Sequence, residues 1–217
     1  MKTKFKIVIL ILLLLSALFI NTKVNALMPL SGKIIVIDPG HGGKDPGTIS
    51  DTTYESNINL AISKALEIEL SKAGATVILT RNDDYDLSVP NARWRKKSDF
   101  DNRINLINDS KADIYLSIHL NYLTNSAYYG PQVFYDNKDT ENLATIIQNT
   151  LNTNLNTDRK IKPIPSKTYM YDKLNVPGVL IECGFLSNPS EKSKLITEEY
   201  QQKLAILIKD ALISYFN

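Results

Sequence analysis

In 217 residues the chain has one cysteine, two histidines and one tryptophan. The lone Cys183 excludes an intramolecular disulfide framework and any CxxC metal cluster. There is no internal repeat, no low-complexity segment and no long run of lysine and arginine. Of the 25 basic residues, four (Lys2, Lys4, Lys6 and Lys23) fall in residues 1–26, which hold no acid. The other 21 face 23 aspartates and glutamates, a net charge of −2. A near-neutral domain of this kind is not expected to bind nucleic acid. Its 43% hydrophobic content is enough for a packed core and excludes a disordered chain.

The longest apolar run, Ile7 to Ile20, falls short of the roughly 20 residues that cross a bilayer. Three lysines precede it, and Val24-Asn25-Ala26 follows as a small-residue cleavage site. Residues 1–26 therefore read as a secretory signal peptide, with an uncleaved N-terminal anchor as the alternative. In either case residues 27–217 are expected to work outside the cytoplasmic membrane, secreted or held in the cell wall or spore envelope.

From Lys33 onward, strand-like and helix-like patterns alternate. Lys33 to Asp38, Ala75 to Arg81, Asp113 to Leu120, Gln132 to Asp136 and Gly178 to Phe185 read as strands. Ile58, Ile62, Leu66 and Leu70 recur every four residues and mark a helix that Gly74 stops. Phe100, Ile104 and Ile107 mark a second helix, and Leu143, Ile147 and Leu151 a third. Asn188-Pro189 starts a short helix and Thr197 the last. This alternation predicts a single α/β domain with a mostly parallel, twisted sheet flanked by helices. The polar stretch Asn82 to Asp99 breaks the pattern. Its basic segment Asn91 to Lys97 reads as a solvated loop, with a substrate- or partner-facing role as the second reading.

In open α/β sheets, ligands collect at the C-terminal ends of the strands. Both histidines fall there: His41 follows the first strand and His119 lies near the end of DIYLSIHL. Glu182 interrupts the apolar strand GVLIECGF, where an ionised carboxylate is costly unless it is paired or functional. Glu55 opens the first helix, where the macrodipole favours it. Two histidines and a glutamate are a known ligand set for one catalytic zinc ion, which keeps a position open for water. His41, Glu55 and His119 supply that set, and Glu182 supplies a general base. Asp51 is the nearest alternative third ligand in sequence. The triad also suits non-haem iron, which the α/β alternation and the export signal argue against. Cys183 points away from Glu182 by strand alternation and reads as a buried structural thiol. Tyr128, Tyr129, Tyr169 and Tyr171 read first as packing residues and second as sugar-stacking platforms.

The flanking sequences carry more. Asp38-Pro-Gly-His-Gly-Gly43, Ser117-Ile-His-Leu-Asn121 and Ile181-Glu-Cys-Gly-Phe-Leu-Ser-Asn188 resemble, in order, the signature segments of the zinc-dependent N-acetylmuramoyl-L-alanine amidases of the type-3 family. Thr80-Arg81 with Asp84, and Arg103 to Asp113, also fall where that family has them. The resemblance runs from about Lys33 to the C-terminus. It implies hydrolysis of the amide between N-acetylmuramic acid and L-alanine in peptidoglycan, with His41, Glu55 and His119 on zinc and Glu182 as general base. Leu120 stands where the family often has alanine, and neither it nor Cys183 removes a reactive group. A non-catalytic domain that grips peptidoglycan is the alternative. The basic segment near 91–97 and the absence of wall-binding repeats resemble the sporulation or germination branch, which acts on spore cortex. An accessory protein that orders or targets the enzyme is a further expectation.

Overall fold

The computed structural model describes residues 28–217. The expected signal peptide or anchor, residues 1–26, lies outside the described residues. Strand β1 (Ile34–Pro39) is an unbroken apolar run, so both its faces must be covered. Ile35 and Ile37 are buried against one helical layer and Val36 against the other. A short hairpin, β2 (Ile49–Ser50) and β3 (Thr53–Tyr54), leads into α1 (Glu55–Lys72). The Ile58, Ile62, Leu66 and Leu70 stripe of α1 is buried, and the helix ends before Gly74, whose φ of 96° fits glycine alone comfortably. Then come β4 (Thr76–Leu79), α2 (Arg95–Asp109), β5 (Ile114–Asn121), β6 (Gln132–Tyr135), α3 (Lys138–Leu155) and β7 (Lys162–Pro163). A 3-10 turn (Tyr171–Lys173), β8 (Gly178–Phe185), α4 (Pro189–Leu195) and α5 (Glu198–Phe216) complete the chain.

The main sheet has the order β4-β1-β5-β8-β6-β7. All its pairings are parallel except β6 with β8. The expected α/β domain with a mostly parallel sheet is therefore what forms. Helices α1, α3, α4 and α5 bury their apolar stripes against one face, together with Ile181 and Cys183. Helix α2 and the 3-10 turn cover the other face around Val36, Ile107, Tyr115 and Tyr171. Among the described residues no helix is long and apolar enough to cross a membrane.

Three details differ from the sequence reading. Helix α2 begins at Arg95, so Arg95, Lys96 and Lys97 of the expected basic loop lie in the helix's first turn. The hairpin, β7 and the 3-10 turn carry too few residues to show a period. The fourth strand stops at Tyr135 because Asn137 caps α3, its side chain accepting from the amides of Asp139 and Thr140.

Chain order makes the sheet turn outward in both directions from β1, with β4 on one side and β5 on the other. That switch point leaves a crevice at the C-terminal ends of β1 and β5. Strand register then selects what lines it. Asp38 pairs with Ser117, and His119 with Glu182. By alternation these side chains all share the α2 face of the sheet.

Beneath the crevice lies a buried ion network. Arg103 of α2 donates to Asp38 Oδ1 at 2.6 Å and to Asp99 Oδ1 at 3.1 Å. Asp38 also accepts from the hydroxyls of Thr80 and Ser117. Burial alone would raise the Asp38 carboxyl, but the Arg103 guanidinium and the Thr80 hydroxyl hold it below its usual range. Removing one member of such a pair strands a charge in the interior. Arg103→Met is expected to lower unfolding free energy by about 3–5 kcal/mol in urea titrations at pH 7. A variant with an unchanged urea midpoint would show that the network is not structural.

Candidate metal and catalytic centre

Strand β1 ends in the turn Gly40-His41-Gly42-Gly43. His41 sits at a φ of 63°, in the left-handed region that costs a non-glycine residue roughly 1 kcal/mol. Its backbone is held there from two sides. Arg103 Nη2 donates to the His41 carbonyl at 2.6 Å, and Nη1 to that of Pro39 at 2.9 Å. Arg81 donates to the carbonyls of Pro39, Gly40 and Ser56. Gly40 has no room for a side chain: a Cβ there would lie 2.2 Å from His119 Cε1. At Gly47 a Cβ would lie 2.7 Å from both Glu55 Oε2 and His41 Cδ2.

The turn brings His41 Nε2 to 3.2 Å from Glu55 Oε1, and β5 brings His119 Nδ1 to 3.1 Å from the same oxygen. One donor atom from each of the three residues lies within 4.8 Å of the others. Tetrahedral bonds of the length zinc forms to nitrogen and oxygen set neighbouring donors about 3.3–3.5 Å apart, so the cluster fits such an ion. The second oxygen of Glu55 accepts from the Thr48 amide at 2.9 Å, and Asn59 and the Leu120 amide donate to the first. Burial opposes the Glu55 charge, yet the two imidazoles hold its carboxyl well below the ordinary range. On the far side of the ring, His41 Nδ1 meets Asp45 Oδ2 at 3.0 Å, an outer partner that orients a ligating histidine. Against burial, Asp45 and Glu55 raise His41 to about 9, so a metal ion held at Nε2 would compete with a proton there.

Glu182 lines the same cavity of about 260 Å³ as His41 and His119. Its Oε2 is buried without a hydrogen-bond partner. Burial, with the Glu55 charge adding and the histidines opposing, raises its carboxyl to about 7. An unpartnered buried carboxylate destabilises a fold, and such a group in a cavity is a candidate for chemistry.

The three expected ligands are thus brought together with the expected base beside them. Asp51 is not among them: it is exposed and pairs with Lys192. Cys183 is fully buried on the opposite face of β8. Tyr169 and Tyr171 line the cavity, whereas Tyr128 and Tyr129 are exposed on the loop after β5. No role is assigned to Asp45 from the sequence; its spacing of four from His41 is the signal the sequence offers. Lys96, on the cavity wall, was read as part of a solvated loop.

Such a site at the switch point of a mostly parallel sheet defines an α/β hydrolytic domain. The N-acetylmuramoyl-L-alanine amidase family (Amidase_3) matches residues 35–214, and the chain belongs to that family. It is 43% identical over 195 residues to the germination-specific N-acetylmuramoyl-L-alanine amidase of Bacillus subtilis, covering 87% of this chain and 82% of the relative. It resembles the CwlD amidase of Clostridioides difficile, solved in complex with the GerS lipoprotein, with a TM-score of 0.80 and 39% identity. That match covers 85% of this chain and 98% of the other. The catalytic domain of CwlV from Bacillus (Paenibacillus) polymyxa var. colistinus gives 0.73 and 31%, covering 84% and 97%.

Two expectations follow from this geometry. Gly40→Ala drives a methyl group into the His119 ring, so it should fold but lose bound metal, read by circular dichroism and metal analysis. Full metal content in the folded variant would show that the ring has room to move. The second concerns Glu182 in chelator-treated protein. The folded carboxyl keeps its proton to about pH 7, and a free one releases it near 4.5. Folding therefore takes up a proton between those values, and the stability so gained is whole below 4.5 and lost as pH rises through 7. Glu182→Gln escapes that loss. It should be more stable than wild type at pH 8, by on the order of 2 kcal/mol, with no such advantage at pH 4. An equal difference at both pH values would show that Glu182 is not desolvated.

Proposed function

We infer that the chain hydrolyses the amide bond between N-acetylmuramic acid and L-alanine in peptidoglycan, with one zinc ion held by His41, Glu55 and His119 and with Glu182 as general base. The observation that carries this reading is the unpartnered Oε2 of Glu182, in the cavity shared with the donor cluster. When bound, zinc supplies activation of water at neutral pH and polarisation of the scissile carbonyl. Glu182 takes a proton from the attacking water and hands it to the alanine nitrogen as the C–N bond breaks, leaving a carboxylate and an amine. A carboxyl raised to about 7 is matched to both transfers near neutral pH. Asp45 holds the His41 ring by Nδ1 and leaves Nε2 facing the cluster. The apolar side of the cavity, formed by Phe100, Met170 and Leu180, excludes competing water. A domain that only gripped peptidoglycan would have no use for a strand carboxylate left without a partner.

The germination-specific relative supports a role in spore cortex, and the GerS lipoprotein bound to the structural neighbour supports an accessory protein for this chain as well. Export, by the signal peptide or anchor expected at residues 1–26, places the domain at the wall or spore envelope.

Glu182→Gln should keep one zinc per chain and lose at least about 100-fold in release of stem peptides from peptidoglycan, followed by mass spectrometry. His41→Ala and His119→Ala should lose zinc and activity together. A normally active Glu182→Gln removes the base, and active protein that carries iron and no zinc removes the metal assignment.

A further inference from the structure

The cavity that holds Glu182 is rich in acids. Asp38, Asp45, Asp99 and Glu182 line it; among the described residues the arginine and lysine on its wall are Arg103 and Lys96, while His41 and His119 face Glu55 in the donor cluster. Arg103 is 2% exposed and already donates four N–H bonds, to Asp38, Asp99 and the carbonyls of Pro39 and His41. Lys96 differs in every respect. Its side chain is 48% exposed, and its Nζ rests on Asp45 Oδ2, the oxygen that also meets His41 Nδ1. It lies 5.1 Å from the centroid of the Phe100 ring, the cavity's aromatic wall. An ammonium has three donors, so Lys96 keeps Asp45 and still has donors for a ligand. Its position in the first turn of α2, with no acid in that turn, costs helix stability because the macrodipole repels a cation there.

We propose that Lys96 is a specificity-determining residue that binds the free carboxylate next along the stem peptide after L-alanine, the α-carboxylate of D-glutamate. The inference rests on the amidase reading above. Lys96 lies on the Asp45 side of the His41 ring, one hydrogen bond beyond the face that meets Glu55. Two extended residues span about 7 Å, so the D-glutamate carboxylate falls within about that reach of the scissile bond. Of the other groups on the cavity wall, the carboxylates repel that group, Arg103 is already spent on its own partners, and the two histidines face Glu55. A carboxamide at the same position offers no charge, so amidation of the stem peptide weakens its hold.

The test compares two muramyl peptides that differ only in a free or an amidated α-carboxyl on D-glutamate. Zinc-loaded wild-type protein should prefer the free acid about tenfold in kcat/KM, the size of one charge-assisted hydrogen bond, with the effect in KM. Lys96→Met should bring the ratio near one, and Lys96→Arg should retain it. A general disturbance of the Asp45–His41 contact moves both substrates together and cancels in the ratio. Wild type that treats the two peptides alike, or Lys96→Met with an unchanged ratio, overturns the role of Lys96 and leaves the amidase reading standing. Hydrolysis of neither peptide by wild type overturns the amidase reading instead. Dissociation constants of the same two peptides for wild type and Lys96→Met then decide the carboxylate contact without turnover.

Discussion

The buried pair between Arg103 and Asp38 is the contact on which the site depends. It joins α2, which covers one face of the sheet, to the strand that leads into the first histidine. The same guanidinium fixes the carbonyls of Pro39 and His41, so the left-handed turn is set by α2 as much as by its own glycines. Arg81 secures the turn from the other side. Two buried cations thus hold a short loop by its backbone carbonyls and leave its imidazole free to face outward. Burial and the nearby Arg103 charge lower Arg81 to about 10, so it stays charged at neutral pH.

Most of the sheet was legible in the sequence because its strands are buried on both faces and read as continuous apolar runs. Helices α1 and α5 were legible from single apolar stripes and their stop and start signals. The start of α2 was not. Its first turn, Arg95-Lys96-Lys97-Ser98, has no apolar residue, and ion pairs with Asp86, Asp45 and Asp101 hold the three cations instead. Lys97 pairs with Asp101 one turn on, but the partners of Arg95 and Lys96 are nine and 51 residues away, beyond any local pattern. His41, His119 and Glu182 could be found because scarce or misplaced polar residues at strand ends stand out. Arg103 could not be given a role on spacing alone, since an arginine on a helix looks the same whether it faces water or a strand 65 residues earlier.

Glu182 stands apart from the other buried acids of the cavity. Every other acid beside it has partners: Asp38 three donors, Glu55 five groups, Asp45 a histidine and a lysine. Register places Glu182 opposite His119 and gives its Oε2 none. The surrounding scaffold is stable enough to tolerate that, with the apolar face behind it fully closed by Ile181 and Cys183.

The three donor atoms come from a turn, a helix start and a strand, and Glu55 and His119 are 64 residues apart. No local peptide presents even two of them in the way a helical HExxH would. Bringing the ends of so long a loop together is entropically unfavourable, and only the completed sheet offsets it. A nascent or unfolded chain therefore holds no metal-binding pocket. An ion held by this cluster would be captured after the sheet has formed rather than nucleate it, so the place of folding would also set the pool of metal it meets.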